Sequence, residues 1–143
     1  MRNMKSTDID LKARSADEAT LRQLIARWAK AVLDEDLPAI QADHDPNILM
    51  FDVPPPFLSR GLEAYMATWQ TFYLSQARPI TFDFEDVEIT SGDDVAFATA
   101  IGHCGYIERV ERTDLKFRLT IGFRRHSGQW RIVHEHHSVP ATD

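Results

Sequence analysis

The chain has 143 residues, one cysteine and a formal net charge of -6 at neutral pH. That length fits a single domain with its own core, since domains most often contain about 100–150 residues. The negative charge argues against nucleic acid and anionic membrane surfaces as partners, because both attract clustered positive charge. A single cysteine excludes an intrachain disulfide, and the opening residues lack the apolar core of a signal peptide, so we expect a cytoplasmic protein.

The first predicted element is a helix that follows a polar segment. Residues 1–14 lack hydrophobic periodicity, which predicts a flexible arm ahead of one domain formed by residues 15–143. Ser15 and Glu18 have the spacing of a capping box, and the apolar residues that follow recur at helical intervals through Val32. We therefore expect the first helix to begin near Ser15.

A short helix and a strand are predicted next. Asp36 and Pro38 have the spacing of an N-cap and a first-turn proline, which predicts a second helix through about Asp43. Residues 47–53 then have the character of a strand. The three prolines at 54–56 end it, because proline cannot donate to a strand ladder and fixes its own φ.

The second half of the chain is predicted to be mostly sheet. Residues 62–76 carry aromatic side chains three and four positions apart, which predicts a third helix. The candidate strands that follow are 80–90, 95–107, 115–125 and 129–138, separated by turn signals. Helices followed by strands predict an α+β fold, in which three helices pack on a strongly curved, mostly antiparallel sheet and enclose a pocket.

Three segments, DEDLPAI, FDVPPPFLSRG and GQWRIVHEHHSVP, resemble in order and spacing the nuclear transport factor 2-like superfamily, which includes ketosteroid isomerase and SnoaL-like polyketide cyclases. The resemblance covers about residues 18–140. It implies a cone-like, cystatin-like fold whose pocket binds a small, largely apolar molecule. Glycine-rich phosphate loops and CxxC pairs are absent from the sequence, so no cofactor is expected.

The resemblance assigns a catalytic base. Asp52 stands where ketosteroid isomerase has its general-base aspartate, at the same offset from Gly61. The oxyanion partners of that enzyme differ here, since its tyrosine position falls on Trp28, a supporting tyrosine on Trp69 and its second aspartate on Ile121. An indole is not an acid and isoleucine has no donor, so steroid isomerisation by that mechanism is not expected.

Three histidines and a glutamate occupy consecutive positions, 134–137, in the last predicted strand. Because side chains alternate between the faces of a strand, this cluster divides between two faces. One face carries Ile132, His134, His136 and Ser138, and the other carries Val133, Glu135 and His137. The resemblance to ketosteroid isomerase implies that the second set faces the pocket.

Three interpretations of these histidines are open. In the first, Glu135 and His137 face Asp52 and provide its acid partner. In the second, His134 and His136 are structural residues on the outer face of the sheet, in a homodimer interface. In the third, those two histidines bind a metal, for which no third ligand is evident. We expect the structural role for His134 and His136, a homodimer through the outer face, and no metal.

Further residues are predicted to line the pocket. They are Trp28, Tyr65, Trp69, His103, Ile121, Phe123 and Val133. For most of the aromatic ones we favour a plain core role over a place on the wall, and for His103 a neutral, hydrogen-bonded core histidine is at least as consistent. Two functions follow: a cofactor-independent acid/base isomerase, dehydratase or cyclase, or a non-catalytic ligand-binding or oligomerisation domain.

Overall fold

The computed structural model describes residues 4–142, with side chains from Asp10 onwards. This part of the chain forms three helices and six strands. They are α1 (Met4–Leu33), α2 (Leu37–Ala42), β1 (His44–Phe51), β2 (Ser59–Arg60), α3 (Leu62–Ser75), β3 (Ile80–Ser91), β4 (Val95–Glu108), β5 (Glu111–His126) and β6 (Gln129–Ser138). None of the helices in the described part is both long and apolar enough to cross a bilayer.

The first helix is longer than the sequence indicated. It begins at Met4 instead of near Ser15, so residues 4–14, which were predicted to belong to a flexible arm, are helical. This segment contains neither glycine nor proline, and so nothing in it interrupts a helix. Its described side chains are exposed, however, and the buried face of α1 begins only at Leu21. Residues 1–3 lie outside the described residues, and an independent arm stays a prediction.

The segment between α1 and α3 follows the predicted order. The Asp36 carboxylate accepts a hydrogen bond from the Ala39 N–H at 3.1 Å, so the predicted N-cap of α2 is confirmed. Strand β1 ends at Phe51, just ahead of the prolines. Gly61 has φ +91° at the start of α3, a backbone conformation that glycine adopts without the steric cost of a Cβ.

The strands form one open sheet in the order β2-β1-β6-β5-β4-β3. The pairing of β1 with β6 is parallel, and the other neighbours are antiparallel. The fold is therefore α+β, as predicted, with helices packed on a curved and mostly antiparallel sheet. The parallel pair places the ends of β1 and β6 at the same edge of the core.

The core lies between the sheet and the apolar faces of α1 and α3. From α1 it takes Leu21, Leu24 and Trp28, each at most 2% exposed, and from α3 it takes Tyr65 and Trp69. The Trp28 ring lies edge-on to that of Trp69, with centroids 6.3 Å apart. Each large apolar side chain buried in this way contributes about 1.5–3 kcal/mol, so the aromatic cluster is a main source of stability.

Strand β6 contains a β-bulge at Val133. The neighbouring residues Ile132 and His134 pair with Phe123 and Gly122, which are consecutive in β5. Val133 is therefore the extra residue of the bulge and has no partner across the strand. An insertion of one residue reverses the alternation of side chains from that point onwards, because the period of a strand is two.

The bulge explains why Ile132 and Val133 do not lie on the faces of β6 that strict alternation predicts. Ile132, expected on the outer face, is 0% exposed and belongs to the core. Val133, expected on the wall of the pocket, is half-buried at the bulge and does not reach it. Beyond the bulge the alternation resumes in the new phase, and Glu135 and His137 lie on the inner face.

Candidate acid–base site

A cavity of about 960 Å³ lies between α3, the sheet and the proline segment that follows β1. Small-molecule sites in proteins typically have volumes of about 300–1,000 Å³, so this cavity can hold a ligand of substantial size. Most of its wall is apolar. The larger apolar residues on it are Met50, Leu58, Trp69, Phe72, Phe82 and Phe117.

Asp52 and His137 are neighbours on this wall. Because β1 and β6 are parallel and Phe51 pairs with His136, the next residue of each segment comes to lie beside the other. The His137 Nδ1 atom is 3.7 Å from Oδ1 of Asp52, and their side chains are 9% and 22% exposed. The Val53 N–H donates to the same Asp52 oxygen at 2.8 Å and orients the carboxylate.

Glu135 lies behind His137, away from the cavity. Its Oε1 atom accepts a hydrogen bond from the His137 Nε2–H at 2.9 Å, and its Oε2 atom accepts one from the Tyr65 hydroxyl at 2.7 Å. The Glu135 side chain is 0% exposed, so it cannot contact a ligand. Its predicted role as an acid partner is therefore not supported by its position, which instead suits it to hold His137 in place.

His44 completes the contacts of Glu135. Its Nδ1 atom is 2.7 Å from the Ile40 carbonyl oxygen, which only accepts, so Nδ1 carries a proton. Its Nε2 atom is 2.5 Å from Oε2 of Glu135, and a second proton must lie in that contact. Glu135 thus receives hydrogen bonds from two imidazoles and one phenol, all buried.

The charges of this network follow from these contacts. Burial alone would raise the pKa of Glu135, but the positive charge of His44 and the hydrogen bonds from His137 and His44 lower it to about 2. Burial would lower the pKa of His137, yet the hydrogen bond to Glu135 and the charges of Glu135 and Asp52 raise it above its ordinary 6.5. Glu135 is ionised at neutral pH, and His137 retains its proton more readily than a free histidine does.

Tyr65 acts in this network only as a donor. Its burial, together with the charge of Glu135 and the hydrogen bond to it, raises the Tyr65 pKa well above the ordinary value of 10. The hydroxyl therefore keeps its proton at neutral pH, and it anchors the carboxylate.

The sequence did not identify His44 as a member of this site. The residue sits where α2 passes into β1, and its partner Glu135 is 91 positions away. No local pattern marks such a pair, since the contact forms only when β1 docks beside β6. A buried histidine with a carboxylate partner could have been anticipated only from a correct strand order.

The structure brings one of the predicted wall residues to the cavity. Of that set, Trp69 lines the cavity, whereas Trp28, Tyr65, Ile121 and Phe123 are each at most 1% exposed and fill the core beneath it. They do not reach the wall, because the helices pack closely against the sheet at that end, and for Trp28 and Tyr65 this is the core role that the sequence favoured. The cavity lies instead toward Tyr106, nearer the β4–β5 hairpin.

His103 also lies away from the cavity. Its Nε2 atom is 2.9 Å from Oε1 of Glu85 on the neighbouring strand, and its Nδ1 atom is 3.9 Å from Oδ2 of Asp114. Its place on the pocket wall was therefore a wrong prediction. Alternation along β4 from Phe97 predicts that His103 points inward with it. Phe97, however, is itself 49% exposed on the outer face.

The other two histidines of the strand lie on the outer face. The His134 Nδ1–H donates to the Leu49 carbonyl at 2.6 Å, and the exposed His136 packs edge-on against Phe51, with centroids 5.3 Å apart. Among the described residues, no three histidine, cysteine or carboxylate side chains converge as metal ligands. Assembly of two chains through this face stays a prediction.

Comparison with known proteins identifies the family of the chain. Residues 21–142 match the SnoaL-like domain. A nuclear transport factor 2-like protein of unknown function from Pseudomonas putida KT2440 is 34% identical, with a TM-score of 0.82 and 88% of each chain covered. The fold is thus that of the nuclear transport factor 2-like superfamily. The chain belongs to its SnoaL-like family.

More distant structures share the fold. A nuclear transport factor 2-like protein with a cystatin-like fold from Novosphingobium aromaticivorans has a TM-score of 0.83 at 18% identity, with 100% of this chain and 94% of that chain covered. A proposed ketosteroid isomerase from Shewanella frigidimarina has a TM-score of 0.66 at 18% identity, with coverages of 81% and 92%. No curated protein matches the sequence.

Proposed function

We propose that the protein binds a small, largely apolar molecule in the cavity and catalyses proton transfer on it without a cofactor. The observation that carries this proposal is the Asp52–His137 pair, which stands on an otherwise mostly apolar wall with its nearest nitrogen and oxygen 3.7 Å apart. Two titratable groups held side by side in a cavity are typical of acid–base sites.

The two groups have different roles in this proposal. Asp52 is the base and removes a proton from carbon next to a carbonyl group. His137, protonated at Nδ1, donates a hydrogen bond or the proton itself to the carbonyl oxygen. A carbonyl oxygen and its α-carbon are about 2.4 Å apart, so groups separated by 3.7 Å can contact both.

This arrangement replaces the oxyanion donors that the sequence lacks. The positions that hold them in ketosteroid isomerase carry Trp28, buried in the core, and Ile121, which is apolar. A cationic His137 would stabilise an enolate in place of those donors. Glu135 would hold the His137 Nε2–H, which is thereby turned away from the ligand. Isomerisation, dehydration and aldol-type cyclisation all begin with this enolisation step.

Deuterium exchange tests the shared first step without knowledge of the final product. A panel of cyclic and aryl ketones is incubated with the protein in D2O, and loss of the α-proton signals is followed by proton NMR. We expect Asp52→Asn to slow the exchange about 10²–10⁴-fold, as is typical for loss of a positioned base. The matched control is Asp93→Asn, an exposed aspartate in the β3–β4 turn, which should exchange at the wild-type rate. An equal rate in Asp52→Asn would contradict the proposal.

A non-catalytic ligand-binding protein is the second candidate. It is favoured because Trp28 and Ile121 stand at the positions where ketosteroid isomerase has its two oxyanion donors. Binding of panel members by wild type and Asp52→Asn alike, with exchange in neither, would support this candidate over the first.

A further inference from the structure

The charged groups on the cavity wall are mostly acidic. The described residues that line the cavity include Asp52 and Asp114 but no lysine or arginine. His137 is the basic side chain on the wall, and it lies between the carboxylates of Asp52 and Glu135. A ligand that enters therefore meets two carboxylates, and the one imidazole on the wall is already paired with Asp52 and Glu135.

Asp114 is fixed at its place on the wall. Its Oδ1 atom accepts a hydrogen bond from the Thr81 hydroxyl at 2.7 Å, and its Oδ2 atom is in contact with the Arg112 guanidinium. Arg112 also pairs with Asp83, and His103 lies between Asp114 and Glu85. Three carboxylates therefore share one arginine and one histidine there. The local balance of charge stays negative on this side of the cavity.

Cys104 is a further group on the wall that the charges of the two aspartates influence. It lies on the wall, and burial together with the charges of Asp52 and Asp114 raises the pKa of its thiol to about 11. A thiolate at this place is thus disfavoured first by burial and then by the same two carboxylates that an anionic ligand would meet.

The rest of the wall suits a cation with an apolar body. The aromatic rings on it belong to Trp69, Phe72, Phe82, Tyr106 and Phe117. Aromatic faces attract ammonium groups and offer nothing comparable to a carboxylate. Burying a carboxylate here would cost its hydration, and His137 is already paired with Asp52 and Glu135. An enolate formed in the cavity differs, because Asp52 gains a proton as the enolate forms and no net charge is added.

We propose that the cavity selects ligands by charge, binding apolar molecules whose polar end is a protonated amine and rejecting those that end in a carboxylate. The inference rests on the proposed function, because it concerns the ligand of the same cavity. It adds a substrate class: an amine-bearing or neutral carbonyl compound is accepted, and carboxylates, phosphates and acyl carriers that contain phosphate are not.

A matched series of ligands tests this selection. Dissociation constants are measured by calorimetry for 2-(1-naphthyl)ethylamine, 2-(1-naphthyl)ethanol and 1-naphthylacetate, which share one aromatic body. We expect the amine to bind about tenfold more tightly than the alcohol, and the alcohol about tenfold more tightly than the carboxylate. Cys104 is the single cysteine of the chain, and its raised pKa makes alkylation slow, so the thiol is labelled with iodoacetamide at pH 9 over hours; slower labelling with ligand present shows that binding occurs in this cavity.

The variant Asp114→Asn tests whether the selection arises from the charge of the wall and not from its shape. Asp114→Asn removes one wall carboxylate and should lower the amine-to-carboxylate ratio several-fold, whereas the exposed control Asp93→Asn should leave it unchanged. Equal affinities for the three ligands, or a preference for naphthylacetate, would overturn the charge selection and leave the proposed function standing. Failure of all three to bind or to protect Cys104 would overturn both.

Discussion

Replacing Glu135 with glutamine should lower the free energy of unfolding by about 3 kcal/mol at pH 6. The carboxylate accepts hydrogen bonds from His44, His137 and Tyr65, and an amide cannot accept all three or balance the imidazole charges. The fall of the Glu135 pKa from 4.5 to about 2 corresponds to a similar energy, about 3 kcal/mol. Urea unfolding of wild type and Glu135→Gln measures the difference.

The effect of Glu135 should depend on pH in a defined direction. A carboxylate with a lowered pKa stabilises the fold above its unfolded value of 4.5, and this contribution is lost as the pH falls from there to about 2. The gap between wild type and variant should therefore be large at pH 6 and small near pH 2.5. Glu88→Gln, at an exposed position of β3, is the control. A gap below about 1 kcal/mol at pH 6 would show that Glu135 is not an ionised anchor.

Replacing His137 with glutamine should reduce ketone α-proton exchange by about 10²–10⁴-fold. A glutamine amide can reach Glu135 in place of Nε2 but offers no donor where Nδ1 stands, facing Asp52. The wild-type rate should fall as the pH rises through the raised pKa of His137, because the donor proton is then lost. This alkaline fall should be absent from the residual activity of His137→Gln.

The control for this variant is His136→Gln. His136 precedes His137 in β6 and is exposed on the opposite face, so its replacement changes the same residue type without touching the cavity. We expect wild-type exchange and an unchanged pH profile. An alkaline fall that persists in His137→Gln would assign that titration to another group.

Local patterns in the sequence were sufficient for most of the fold. The N-cap Asp36 and the turn at Gly61 act through their own backbone neighbours, so their elements could be predicted from a few residues. The start of α1 was misplaced because Ser15 has capping-box spacing within a helix that continues past it. The two-residue strand β2 is too short to produce any pattern.

The candidate site was predictable only in part. Asp52 could be placed from the family resemblance, and its position beside His137 follows from the parallel pairing of β1 with β6. The bulge at Val133 leaves no mark in the sequence, and strict alternation therefore gave the right face for His137 and the wrong one for Ile132. Long-range contacts such as that between His44 and Glu135 depend on tertiary packing and cannot be predicted from local periodicity.

Nitrogen-15 NMR of the histidine rings tests most directly the central claim that Glu135 orients His137 so that Nδ1 exchanges protons beside Asp52. We predict that the Nε2 atom of His137 stays protonated from pH 5 to about pH 9 while Nδ1 titrates with a midpoint above 6.5, the ordinary histidine value. A proton held on Nδ1 while Nε2 titrates, or a midpoint below 6.5, would contradict the account.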